Sequence, residues 1–131
     1  MRKPGLYIAV AGKKGKGVFT KKPIPANTLI EIAPVIILNA QDRQQVEETK
    51  LFYYIFEWGD DTTKGAVGLG YVSMYNHASP SNCEYEMDYE EETISIRTMR
   101  DINPGEELTI NYSAGWDDWK PVWFEDKNAR K

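Results

Sequence analysis

The chain is poor in the side chains that most catalytic and metal sites require: its 131 residues hold one histidine, His77, and one cysteine, Cys83. A single thiol cannot close an intramolecular disulfide, so nothing points to an oxidising compartment. Structural zinc takes about four nitrogen or sulfur ligands, and two candidates cannot supply them. No metal site is expected, and Cys83 reads as a small buried hydrophobe. There is no apolar run of about 18 residues to span a bilayer, and MRKPGLYIAV lacks the apolar core and cleavage site of a secretory signal. The expectation is a soluble intracellular protein with no membrane partner, cytoplasmic or, in a eukaryotic or viral setting, nuclear. Acids are missing from residues 1–22, which carry Arg2, Lys3, Lys13, Lys14, Lys16, Lys21 and Lys22. Bases are missing from residues 84–92, which carry Glu84, Glu86, Asp88, Glu90, Glu91 and Glu92. Beneath a net charge of −4 this gives a basic end suited to an anionic group and an acidic edge suited to a cationic partner. Overall acidity argues against direct nucleic-acid binding, which would need a phosphate-neutralising surface.

What is present suits a single domain over residues 1–131, large enough to bury a core. Short strand-like pieces broken by turns run from Leu6 to Leu38, including Thr28–Ile32 and the β-branched run Val35–Leu38. A helix is predicted from Asp42 to about Phe56, capped by Asn39 or Asp42, with Val46, Leu51, Tyr54 and Ile55 on one face. Gly65, Gly68 and Gly70 predict a loop. The segment Glu84-Tyr85-Glu86-Met87-Asp88-Tyr89 alternates with period two, as does Thr93–Thr98. Together they predict a hairpin with one apolar and one acidic face. Glu107–Tyr112 is a further strand-like piece, and the tail from Ser113 holds Trp116, Trp119, Trp123 and Phe124. The fold class is mostly β (an α+β domain) with one main helix.

The segment AGKKGKGVF lacks the G-x-x-x-x-G-K-[ST] pattern of a phosphate loop, since Val18 follows Gly17, and Thr20 stands where a dinucleotide G-x-G-x-x-G would need glycine. Three segments in order are more specific. They are Gly15-Lys16-Gly17, then Asn76-His77 with Asn82, then Glu106-Glu107-Leu108-Thr109-Ile110-Asn111-Tyr112. Spread over residues 15–112, this combination resembles the SET-domain family of protein lysine methyltransferases, in a minimal form similar to small viral and bacterial members. The family's Arg-Phe before the Asn-His pair is replaced by the stretch Ser73-Met74-Tyr75. Pro80 comes one place early, with Ser81 before Asn82, and the cysteine-rich zinc-binding flanks are missing.

The resemblance implies a β-clip fold of several small twisted sheets, with the Asn-His segment and the C-terminal segment threaded in a knot-like arrangement. It implies S-adenosylmethionine as cofactor, held by Gly15, Lys16, Gly17, Asn76, His77 and Tyr112, with Trp116 or Trp119 of a tail (113–131) closing over the adenine. His77 is then a positioned scaffold residue rather than a base. Tyr112 is the implied catalytic residue, and Tyr85 lines the substrate-lysine channel. Tyr54, or its neighbour Tyr53, is a third aromatic wall. These types suit methyl transfer. A free lysine titrates near ~10.4, so presenting it neutral costs about 4 kcal/mol. A desolvated aromatic channel and a sulfonium cation both lower that pKa, and oriented hydroxyls align the amine with the methyl carbon. The implied partner is a basic protein or peptide carrying the target lysine, drawn by Glu84, Glu86 and Asp88; a homodimer completing the peptide groove is possible. The alternative is a non-catalytic module that keeps the fold and binds a basic peptide, against which the retention of Asn76, His77 and Tyr112 argues.

Overall fold

In the computed structural model, residues 1–60 and 62–112 are described. They form nine strands and one α-helix: β1 (Leu6–Val10), β2 (Lys16–Thr20), β3 (Leu29–Leu38), α1 (Ala40–Glu47), β4 (Ile55–Glu57), β5 (Gly65–Gly68), β6 (Asn76–His77), β7 (Cys83–Asp88), β8 (Thr93–Thr98) and β9 (Glu107–Ile110). Two sheets result, one ordered β1-β2-β9-β6 and the other β4-β5-β3-β8-β7. Between them lie Val18, Ile30, Ala33, Ile94, Ile96, Leu108 and Ile110, all buried and forming one cluster with Tyr75 and Cys83. Each fully buried isoleucine of this set stabilises the fold by roughly 1.5–3 kcal/mol through removal of apolar surface from water.

The predicted hairpin is present. β7 and β8 pair from Cys83 opposite Thr98 to Asp88 opposite Thr93. Glu84, Glu86 and Asp88 are exposed while Tyr85 and Met87 are half-buried, as the alternation requires. Asp88 accepts from the amides of Glu90 and Glu91, which closes the turn. Tyr89 lies just beyond the strand and packs edge-on against Trp58. The two strand-like pieces before Leu38 merge into the ten-residue β3. Pro34 stands within it at an exposed position opposite Thr93.

Two expectations are corrected. The helix stops at Glu47, and Lys50–Tyr54 forms a 3₁₀ turn that leads into β4. Asn39 caps α1 as expected, accepting from the Asp42 amide at 2.8 Å. Thr49 then starts a new cap by accepting from the Leu51 amide, which competes with continuing the α-helix. The aromatic and β-branched residues beyond it favour extended backbone. Gly65 and Gly68 lie in a strand rather than a loop, while Gly70 falls in the turn that follows. A Cβ on Gly68 would lie 2.6 Å from Val72 Cγ1 and one on Gly65 3.3 Å from Arg43 Cδ, so β5 uses glycine for close approach.

The threading appears where β6 runs parallel to β9, with Asn76 opposite Thr109 and His77 opposite Ile110. Beyond β6 the chain bends around β9. The Asn82 side chain accepts from the Thr109 amide at 2.8 Å and donates to the Glu107 carbonyl at 2.8 Å. Strand β9 is therefore enclosed by β2, by β6 and by residues 76–82.

Candidate active site

The segment before β9 is a turn in which Glu106 accepts from the Asn103 amide and from Arg100. The Arg100 guanidinium holds the Glu106 carboxyl below its ordinary range. From there β9 delivers Tyr112 beside the Asn-His segment. The Tyr112 amide donates to His77 Nδ1 at 3.1 Å, and the two rings stack at 5.5 Å with 16° between their planes. The Tyr112 hydroxyl donates to the Tyr75 carbonyl oxygen. Tyr85 Oη donates to the Tyr112 carbonyl at 3.2 Å. The Phe56 ring lies 5.8 Å from Tyr85 and 5.9 Å from Tyr112, and Phe52 packs against Tyr53 and Tyr112. Burial among these rings pushes the Tyr112 phenol well above its ordinary pKa, with smaller contributions from Tyr85 and Tyr54. It raises Tyr85 as well. Tyr112 therefore stays protonated and is suited to orient a reactant through its hydroxyl, not to remove a proton.

The Gly15–Gly17 segment meets Asn76 through Lys16 and Gly17. Gly15 adopts φ 82°, a left-handed conformation suited to glycine. Gly17 is pressed against Asn76 and Glu107: a Cβ there would collide with the Glu107 carboxylate and lie 2.7 Å from Asn76 Nδ2. The buried Asn76 amide donates to the Lys16 carbonyl at 3.2 Å and to Glu107 Oε2 at 2.7 Å. Lys16 contributes through its main chain and its side chain is exposed. Lys14, not Lys16, reaches the Asn-His segment, donating from Nζ to the His77 carbonyl at 3.0 Å.

Of the site residues expected from sequence, Lys16, Gly17, Asn76, His77, Tyr85 and Tyr112 meet around the β6–β9 crossing through the contacts above, Gly15 directly precedes Lys16, Tyr54 acts on the Tyr112 phenol, and Trp116 and Trp119 lie outside the described residues. Sequence reasoning missed Phe56 and Phe52, although five aromatics within residues 52–58 were a visible signal. It gave no role to Glu107, although that residue stands in the Glu106–Tyr112 motif, and it missed Glu31, considered below. The early Pro80 does not displace Asn82, whose bonds to β9 are those described above. Cys83 is fully buried and its thiol is pushed up to about 12, chiefly by desolvation, so it stays un-ionised near neutrality. Among the described residues no group of three or more His, Cys, Asp or Glu could hold a metal ion, and no helix is long and apolar enough to cross a membrane.

Comparison with known proteins places this geometry. A family model described as the SET domain matches residues 15–113. A Schizosaccharomyces pombe histone-lysine N-methyltransferase specific for H3 lysine-37 is 38% identical over 123 residues, covering 93% of this chain and 78% of its own length. A Cryptococcus neoformans histone-lysine N-methyltransferase specific for H3 lysine-36 is 30% identical, covering 82% of this chain but 14% of that longer protein. The crystal structure of a Plasmodium falciparum protein named as a candidate histone methyltransferase matches with a TM-score of 0.65 at 24% identity, over 92% of this chain and 100% of that one. At that identity the likeness speaks for the fold alone. Members of the SET family use S-adenosylmethionine as methyl donor. With the family model and the S. pombe relative both spanning most of its length, the chain belongs to the SET-domain family and is a protein-lysine N-methyltransferase.

Proposed function

We propose that this chain methylates a lysine in a basic, histone-like segment, with S-adenosylmethionine held at Gly15–Gly17 and Asn76–His77 and the amine oriented by Tyr112. The observation that carries the reading is the double anchoring of Tyr112, by its amide on His77 Nδ1 and by its hydroxyl on the Tyr75 carbonyl, inside a set of aromatic rings. The backbone around Gly15 and the neighbouring Lys14 fit the cofactor: the first tolerates close approach, and the second offers positive charge to a carboxylate. When bound, S-adenosylmethionine supplies an electrophilic methyl on a sulfonium centre.

The chain's own residues then have three tasks. Phe56, Tyr85, Tyr54 and Tyr112 form an apolar wall that disfavours an ammonium and so favours the neutral amine. The Tyr112 hydroxyl, kept protonated by burial, donates to the Tyr75 carbonyl and turns its oxygen lone pairs away from that carbonyl. From there they can accept an N–H of the amine and aim the nitrogen lone pair. Glu84, Glu86 and Asp88, exposed on the edge strand β7, attract a basic segment that adds alongside the strand. The histone H3 specificity in the names of the S. pombe and C. neoformans relatives makes core histones the first substrates to offer. With such a substrate the protein would work where chromatin is.

The test is incubation of the purified chain with S-adenosylmethionine and core histones, read by mass spectrometry for lysine mass gains of one or more methyl groups. Calorimetric titration of S-adenosylmethionine into the parent and into Asn76→Ala accompanies it. Micromolar binding lost in the variant, with histone methylation lost in Tyr112→Phe, is expected. Cofactor binding without methylation of any basic protein would remove the substrate assignment.

A further inference from the structure

An acidic side chain lies buried between β3 and the segment around Tyr71 and Tyr75. Glu31, 1% exposed, shares the inward side of β3 with Ala33 and Val35. Each of its oxygens accepts a hydrogen bond: Oε1 from Tyr75 Oη at 2.9 Å and Oε2 from the Tyr71 amide at 2.8 Å. Gly70, at φ +65°, makes room, since a Cβ there would lie 2.6 Å from Oε2. The Arg2 guanidinium covers the Tyr71 ring 3.7 Å from its centroid and, with the chain's amino terminus, offsets part of the cost of burying the charge. A buried carboxylate with a charged partner and matched donors is expensive to assemble, yet removing apolar surface from water at this position needs no acid.

Tyr75 is fully buried and is held at both ends. Its ring terminates on Glu31, and its backbone carbonyl is the oxygen that accepts the Tyr112 hydroxyl. It stands directly before Asn76, whose amide locks β6 to Lys16 and Glu107. We infer that Glu31 is a positioning residue for methyl transfer, acting through Tyr75 to hold the carbonyl that orients the Tyr112 hydroxyl. Glu31 touches neither cofactor nor amine. It decides the rotation of the Tyr75 side chain, and so where the main-chain oxygen sits against which Tyr112 is aligned. The inference rests on the proposed role of Tyr112.

Glu31→Gln keeps the shape but has one acceptor oxygen for two donors; Tyr75→Phe keeps the ring and deletes its tie to Glu31. Two readouts apply to this chain. In protein labelled with ¹³Cζ-tyrosine, with Tyr112 assigned by its loss in Tyr112→Phe, both substitutions are expected to move the Tyr112 resonance. In methylation assays each is expected to lower kcat about ten-fold, with KM for peptide and cofactor changed less than about two-fold. The double variant should be no slower than Tyr75→Phe alone, because the two act in series. The inference falls if the Tyr112 resonance stays in place in both variants, if kcat is unchanged, or if the losses multiply. A lower melting temperature with resonance and kcat unchanged would make Glu31 a structural anchor alone. The resonance arm needs no substrate, so a parent that methylates nothing would count against the proposed function while the spectrum still decides the role of Glu31.

Discussion

In the five-stranded sheet, β7 and β8 pair along their full lengths and β3 pairs with both β5 and β8. In the four-stranded sheet, β9 meets β2 and β6 over two residues each. Backbone polar groups need partners wherever they are buried. The first sheet supplies them by ladder hydrogen bonds, as β1 and β2 of the second do for each other over five residues, whereas β9 draws on side chains as well. Asn82 stands in for a strand against Thr109 and Glu107, Asn76 ties Lys16 to Glu107, and His77 accepts from the Tyr112 amide. A regular ladder would have closed the crossing to ligands. Side-chain amides hold it together while leaving the Gly15–Lys16 backbone and the Tyr112 ring at one place. The long ladders serve as the frame, and the short ones carry the proposed site.

Substitutions that touch one region and spare the other break this division most directly. Tyr112→Phe removes a hydroxyl at the crossing without disturbing the frame. It is expected to lower the single-turnover methylation rate by about 10²–10³-fold while the urea midpoint stays close to that of the parent. Ile96→Ala does the reverse: at a fully buried position of β8 it should cost about 3 kcal/mol of unfolding free energy, with cofactor affinity retained below the transition. Asn82→Ala falls between them. It leaves the Thr109 amide and Glu107 carbonyl without their partner and should cost about 2 kcal/mol, with a parallel loss of cofactor affinity because β9 shifts against β6. Calorimetry on the same samples reads both. An undiminished cofactor affinity at reduced stability would show that the crossing tolerates movement.

The smallest effect is on pH dependence, where the two regions have opposite signs. Glu106, beside the crossing, is held low by Arg100. Its contribution is present above its unfolded value of 4.5 and is lost as pH falls through the lowered folded pKa; being partly exposed, it is worth under about 1 kcal/mol. Glu31, in the frame, is raised by burial, so the folded state binds its proton first. Stability then rises as pH falls from the raised pKa towards 4.5. Chemical unfolding at a series of pH values should show both slopes, the upper one missing in Glu31→Gln and the lower one in Glu106→Gln.

Legibility in the sequence follows the same division. The β7–β8 hairpin was readable because a strand with one solvent face writes its period of two into the residues themselves. Of the stretch from Asp42 to Phe56, the part up to Glu47 is helical as read and the part beyond it was misread. Thr49 capping and the aromatic run compete locally with the helix, and the contest is settled by packing of Phe52 and Phe56 against Tyr112 and Tyr85. β5 was hidden because its glycines, which signal turns in isolation, were set by the approach of Val72 and Arg43. The motif residues Gly15, Gly17, Asn76, His77 and Tyr112 were legible through their resemblance to a family; Glu107 stood in the same C-terminal motif without a role, Phe56 was marked only by its aromatic run, and Glu31 had nothing to mark it.

By itself the sequence determined the hairpin, the absence of a cysteine–histidine metal cage and the family, since each depends on residue types and spacings within the chain. Tertiary structure alone decided which acid is buried, which lysine reaches His77 and which carbonyl receives the Tyr112 hydroxyl. Those outcomes depend on residues about thirty to sixty positions apart meeting at a crossing of short strands, where no local periodicity records who the neighbour is.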